Sequence, residues 1–199
     1  MQDRIEAGEY VRPCDGETLS GDAVVVHSDD AGVFVAVIDA LGHGPNAHEL
    51  ARELSGILSK WLTWVSTPNP DGALAVLHES ARGTRGAVAA VAWLDSRTLE
   101  GSVVGIGNVR CRLFGSVART VEFREGVLGS RMRPLTPTSF VLQPADVLLL
   151  FSDGVTGRFG VNEYPSLTLD RASAIASNIV RRFGKGIDDA SCAVMRCRW

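Results

Sequence analysis

The chain has 199 residues, 45% of them hydrophobic and 22% charged, with a net charge of -3 and a sequence pI near 5.8. This is the composition of an ordinary globular protein with one buried core, and it offers no basic surplus for nucleic acid or an acidic membrane surface. No apolar run reaches membrane-spanning length, and the stretch from Met1 to Tyr10 lacks the apolar core of a secretion signal; Cys14, Cys111, Cys192 and Cys197 form no C-x-x-C pair, so a cytoplasmic protein with reduced structural thiols is expected.

Residues 23–28 and 33–38, AVVVHS and VFVAVI, are β-branched runs separated by Asp29-Asp30-Ala31-Gly32, which has hairpin-turn chemistry. After Gly44 and Pro45, the residues Leu50, Leu54, Ile57, Leu58, Trp61, Leu62 and Val65 recur at helical spacing, and Trp61 and Trp64 are read as core. A shorter helix from Asp71 buries Leu74, Leu77 and Ala81 before Gly83-Thr84-Arg85-Gly86 breaks the pattern. Segments 87–94, 99–105, 109–114 and 117–123 are β-rich and joined by short turns, which predicts an antiparallel meander. The apolar run Val147 to Phe151 reads as a buried strand ending in Ser152-Asp153-Gly154. A third helix, capped by Asp170, buries Ala172, Ile175, Ala176, Ile179, Val180 and Phe183 and stops at Gly184; Ser191 to Arg198 is a closing strand.

This order lacks the regular alternation of a doubly wound sheet. It predicts an α+β fold, an α-β-β-α layered sandwich with two packed, mainly antiparallel sheets flanked by helices. With no repeat and no long Pro/Gly linker, residues 1–199 are read as a single domain.

Four aspartates share one context, each at a strand end or tight turn: Gly21-Asp22, Asp39-Ala40-Leu41-Gly42-His43-Gly44, Ser152-Asp153-Gly154 and Ile187-Asp188-Asp189. A carboxylate at a strand end can point out of the core into a shared cleft. Crowded carboxylates repel one another unless cations compensate, and hard oxygen donors suit magnesium or manganese. Two such ions roughly 3.5–4 Å apart can activate water for phosphoryl displacement, so phosphate hydrolysis is the leading chemistry. Taken singly, each Asp-Gly pair has an ordinary turn as its plainer explanation, and Asp29-Asp30 and Asp95 are assigned to such turns.

The ordered set GD, DxxGHG, RGA, GxGNVR, a strand running into SDG, and a terminal DDAS resembles the PPM-type metal-dependent Ser/Thr phosphatases. Within them it is most similar to the SpoIIE-like bacterial branch and its RsbX-like stressosome phosphatases. The resemblance implies that Asp39 bridges two metal ions, that the carbonyl of Ala40 is a further ligand, and that Asp153 and Asp188 bind one metal directly. Asp22 is implied to bind more weakly or through water, and Asp189 to support the ligands from beside the site. Ala40 departs from the family's usual glycine, which raises the question of backbone geometry at that carbonyl. His43 is read as a solvent-facing loop residue rather than a proton shuttle, and Val88 stands where threonine is usual.

A guanidinium suits a phosphoester through its bidentate fork, so Arg85 and Arg110 are possible phosphate contacts, with a surface ion pair as the other reading. Asn108 is assigned to stabilising its turn. The resemblance implies manganese or magnesium, two ions, and hydrolysis of phosphoserine or phosphothreonine by a metal-bound hydroxide. It further implies phosphorylated STAS-domain proteins of a stressosome or partner-switching module as substrates, with neither nucleic acid nor membrane as partner; oligomeric state is not readable. The alternatives are a weakly active phosphoprotein-binding regulatory module and a hydrolase of small phosphoesters, although no GxxxxGK loop suggests nucleotides.

Overall fold

The computed structural model describes residues 4–116, 118–130 and 134–198. The chain begins with β1 (Ile5–Arg12), then forms a hairpin from β2 (Asp22–Ser28) and β3 (Gly32–Ala40). The Asp29 carboxylate closes that hairpin by accepting from the Ala31 and Gly32 N–H groups. Helix α1 (Pro45–Leu62) starts with proline where a missing N–H costs nothing, directly after Gly44 at φ 77°. Helix α2 (Pro70–Ser80) is capped by the Asn69 side chain, which accepts from Gly72 N–H at 2.6 Å.

There follow β4 (Ala87–Asp95), β5 (Glu100–Ile106), β6 (Arg110–Phe114), β7 (Arg119–Val121), β8 (Thr138–Val141), β9 (Val147–Phe151), α3 (Ala172–Phe183) and β10 (Ala190–Cys197). They form two five-stranded sheets, ordered β1-β10-β9-β6-β7 and β2-β3-β4-β5-β8, and every pair of neighbours is antiparallel.

The period-two alternation of each strand explains the layers. In β3, Phe34, Ala36 and Ile38 pack under Leu50, Leu54 and Leu58 of α1 and Leu74 and Leu77 of α2. The intervening Val33, Val35 and Val37 face the other sheet, meeting Leu148, Leu150, Ala193 and Met195. On that sheet's far side Leu149, Phe151 and Val194 pack against Ile175 and Ile179 of α3. Each such fully buried leucine or isoleucine contributes about 2 kcal/mol, and together they fix an α-β-β-α sandwich, the predicted class. All four cysteines are buried and unbonded.

Several local expectations change. Residues 99–114 do not continue one meander: β5 belongs to the first sheet's partner, and the chain crosses between sheets at Gly107, whose φ of 91° favours glycine. The predicted strand at 117–123 shrinks to β7, and its first residue, Val117, lies outside the described residues. Asp170 does not cap α3; its carboxylate accepts from the Tyr164 hydroxyl at 2.6 Å and the Ser166 hydroxyl at 2.8 Å, and Arg171 occupies the cap position. Trp64 is 77% exposed because α1 ends at Leu62, whereas Trp61 packs against the helix–sheet core.

Candidate metal centre and active site

Asp22 and Asp39 are register partners at one end of the β2–β3 pair, so their side chains emerge on the same face. Asp39 continues the row Val33, Val35, Val37 and therefore points between the two sheets. From the opposite sheet, Asp153 follows the last residues of β9, and Asp188 and Asp189 immediately precede its neighbour β10. The sandwich thus presents carboxylates from both sheets at one open end. The charges of Asp22, Asp153, Asp188 and Asp189 all act on Asp39.

Electrostatics follow from that crowding. Burial, reinforced by the neighbouring carboxylates Asp22, Asp153, Asp188 and Asp189, pushes Asp39 up to about 8. Asp22, only 5% exposed, is pushed up to about 7, chiefly by burial, against the pull of the nearby Ser152 and Ser191 hydroxyls. Asp188 is also raised, by burial first and by Asp153 next. Among the described residues no three His, Cys, Asp or Glu side chains form a ready-made metal cage, so this is an array of mutually repelling carboxylates.

The array nevertheless fits a hard divalent cation. Asp22 Oδ2 is buried without a hydrogen-bond partner, a cost that a cation would relieve. The donors are oxygens, which suits magnesium or manganese over softer metals. A backbone oxygen stands beside them. Ala40 N–H donates to Gly21 O at 3.0 Å, but Gly21 N–H, which a regular antiparallel ladder would return to the Ala40 carbonyl, donates instead to Asp189 Oδ2 at 2.7 Å. Ala40 lies in β3 and is absent from the positive-φ positions, so its methyl group imposes no strain on that carbonyl; in the loop that follows, positive φ falls on Gly42 and Gly44.

Asp189 also accepts from Cys14 N–H at 2.8 Å, so one buried carboxylate ties the loop before β2 to the start of β10. Asn108, read from sequence as a turn residue, reaches further: its Nδ2 donates to Asp153 Oδ2 at 2.6 Å. The sequence signal for it was its place in GxGNVR, at the crossing between sheets. Lys185, not singled out from sequence, donates from Nζ to the Asp153 carbonyl at 2.6 Å and places a cation near Asp188.

The arginines differ. Arg85 donates to the Leu41 carbonyl at 2.9 Å and so fixes the loop after Ala40. Arg110 lies against Gly157, just past the SDG loop, and lines an open cleft of about 480 Å³ beside Asn108. His43 is exposed, with its ring 3.5 Å from the Glu17 carboxylate. A larger cleft of about 540 Å³ along β5 and β8, lined by Trp93, Ser102 and Phe140, includes none of the carboxylates or their neighbours.

Comparison with known proteins fits this geometry. Residues 29–198 match the family described as Stage II sporulation protein E (SpoIIE). The chain belongs to the SpoIIE family.

Among solved structures, one described with the words "The bacterial stressosome: a modular system that has been adapted to control secondary messenger signaling" has 27% identity to this SpoIIE-family chain and a TM-score of 0.84, covering 98% of it and 100% of the other chain. RsbX in complex with magnesium gives a TM-score of 0.83 at 16% identity, over 99% of this chain and 97% of that one. The PP2C phosphatase domain of SpoIIE from Bacillus subtilis, solved with a fragment of its regulatory domain, gives 0.74 at 18%, over 97% and 63%. The last two likenesses show the fold. No curated protein matched the sequence. Family and fold together support a serine/threonine phosphatase. No helix among the described residues is long and apolar enough to cross a membrane.

Proposed function

We propose that the protein is a metal-dependent phosphatase of phosphoserine and phosphothreonine on proteins, acting in the cytoplasm on STAS-domain partners of a stressosome or partner-switching module. The observation that carries this reading is the meeting of Asp22 and Asp39 from one sheet with Asp153 and Asp188 from the other, within a SpoIIE-family chain. In this reading two manganese or magnesium ions would be held by Asp39 as the shared ligand, by Asp153 and Asp188 directly, by Asp22 more weakly, and by the Ala40 carbonyl.

When bound, such ions lower the pKa of water and neutralise the oxygens of the phosphoryl group. The remaining work falls to the chain. Asp22 and Asp39 sit on strand ends, and Asp153 and Asp188 each lie two residues from a strand, so the sheets position all four carboxylates before ions bind. Asn108 restricts the rotation of the Asp153 carboxylate by donating to one of its oxygens, which leaves the other without this partner. Asp189 supports the site without entering it, by taking the Gly21 N–H that the Ala40 carbonyl would otherwise accept. Arg110, at the edge of the cleft, is placed to meet a phosphoester oxygen, whereas Arg85 serves the loop.

The similarity to a chain described with the bacterial stressosome supports the choice of partner. The test compares manganese-dependent phosphate release from a phosphorylated STAS-domain protein and from nucleotides. Selective release from the protein is expected; selective nucleotide cleavage would replace this reading with that of a small-phosphoester hydrolase.

A further inference from the structure

The cleft of about 480 Å³ starts where the carboxylates end. Leu41 follows Ala40 directly, Val88 is the register partner of Asp39, and Asn108 holds Asp153, so one wall of the cleft is built from the residues that frame the centre. Its floor and far wall are apolar: the Val88 side chain sits where a Cβ on Gly107 would be, and Phe123 and Val127 face it. Leu41 is 41% exposed at the mouth, an apolar side chain facing solvent beside a cluster of charges.

The cleft is also electrically polar. Arg110 lies beside Gly157, just past the SDG loop; the exposed Glu122 stands next to it, one step beyond the Cys111–Val121 pair of β6 and β7, and the exposed Glu125 extends this acidic lip along the cleft. None of these three forms an ion pair among the described residues. A ligand complementary to that pattern carries a phosphate, a positive charge close beside it, and an apolar stretch.

We propose that this cleft seats the phosphorylated segment of the substrate protein and that Glu122 and Glu125 select a basic residue flanking the phosphorylated serine or threonine. The inference rests on the phosphatase reading above and adds to it the sequence preference. Small phosphoesters leave the apolar floor and the acidic lip unused.

Two phosphoserine peptides, identical except for lysine or glutamate at the flanking positions, test it with manganese present. Wild-type protein is expected to favour the lysine peptide by about fivefold in kcat/KM, and Glu122→Lys/Glu125→Lys to remove or invert that ratio. The control Glu49→Lys/Glu53→Lys, which changes net charge equally on the exposed face of α1, is expected to keep the wild-type ratio. Equal turnover of the two peptides by wild type, or the same change of ratio in both double variants, overturns the inference while leaving the phosphatase reading intact. Absence of turnover on both peptides and on a small aryl phosphate defeats the phosphatase reading, and the inference with it.

Discussion

Asp22 and Asp39 face each other directly across the β2–β3 pair, two acids in a position where neighbouring strands usually place matched side chains. Both are pushed well above the ordinary carboxylate range, to about 7 and about 8. Such a pair is unfavourable when both members are ionised, and either protons or a shared cation relieve the repulsion. Asp39→Asn removes one charge while keeping shape. Phosphate release should fall by at least about a hundredfold, while the metal-free protein should melt about 2–4 °C higher, the shift expected for relief of roughly 1 kcal/mol in a chain of this size. Retained activity in this variant contradicts the bridging role.

The same shifts set a pH dependence. The folded-state values of Asp22 and Asp39 lie above the 3.8 of the unfolded chain, so between those limits the native state holds protons that the unfolded state has released. Stability of metal-free protein is therefore retained near pH 4 and lost as pH rises through about 7 to 8. Manganese competes with those protons, and its stabilising effect should grow over the same window. Melting curves in chelator and in manganese at pH 5.5 and 8.5 check this; a metal-free protein more stable at pH 8.5 contradicts it.

Asn108 acts through another residue. Asn108→Ala removes the 2.6 Å bond to Asp153 Oδ2 and frees that carboxylate to rotate. Loss of such a supporting bond typically costs 10- to 100-fold in metal affinity or activity, so about tenfold weaker manganese binding is expected, with the melting temperature of metal-free protein little changed. Titration calorimetry reads the first and thermal melting the second. Unchanged manganese affinity assigns Asn108 to its turn alone.

Asp189→Ala should behave differently, because the carboxylate is buried and accepts from two amides, Cys14 N–H and Gly21 N–H. Both donors lose a charged partner, at a cost of about 3 kcal/mol in urea denaturation. A loss below about 0.5 kcal/mol, within the range of ordinary surface changes, contradicts the fastening role.

Strong periodicity made the hairpin, the helices and the apolar strand before Asp153 legible in the sequence. Two strands were not: β1 alternates weakly in IEAGEYVR and is defined by its partner β10, and β8 is a four-residue strand at the sheet edge, paired with β5. The division of β5 and β6 between two sheets could not be read either, since both have the same local pattern and only long-range pairing separates them. At Asp170 a cap signal lost to tertiary competition, as Tyr164 and Ser166 claim its carboxylate.

In the candidate site, the aspartates were visible because four unrelated segments repeat one context. Asn108 and Lys185 were not distinguished, because their partners lie 45 and 32 residues away in sequence. Concern over Ala40 came from a family habit of glycine at that position; β3 holds it in ordinary extended backbone, where a methyl group is tolerated.

The account rests on the aspartates acting together through divalent cations. Its most direct test is phosphate release from a phosphorylated STAS-domain protein by wild type and Asp39→Asn, with manganese and with excess chelator. The account predicts release by wild type in manganese alone, abolished by chelator and by the substitution. Release that persists in chelator or in Asp39→Asn, or none by wild type at saturating manganese, would contradict it.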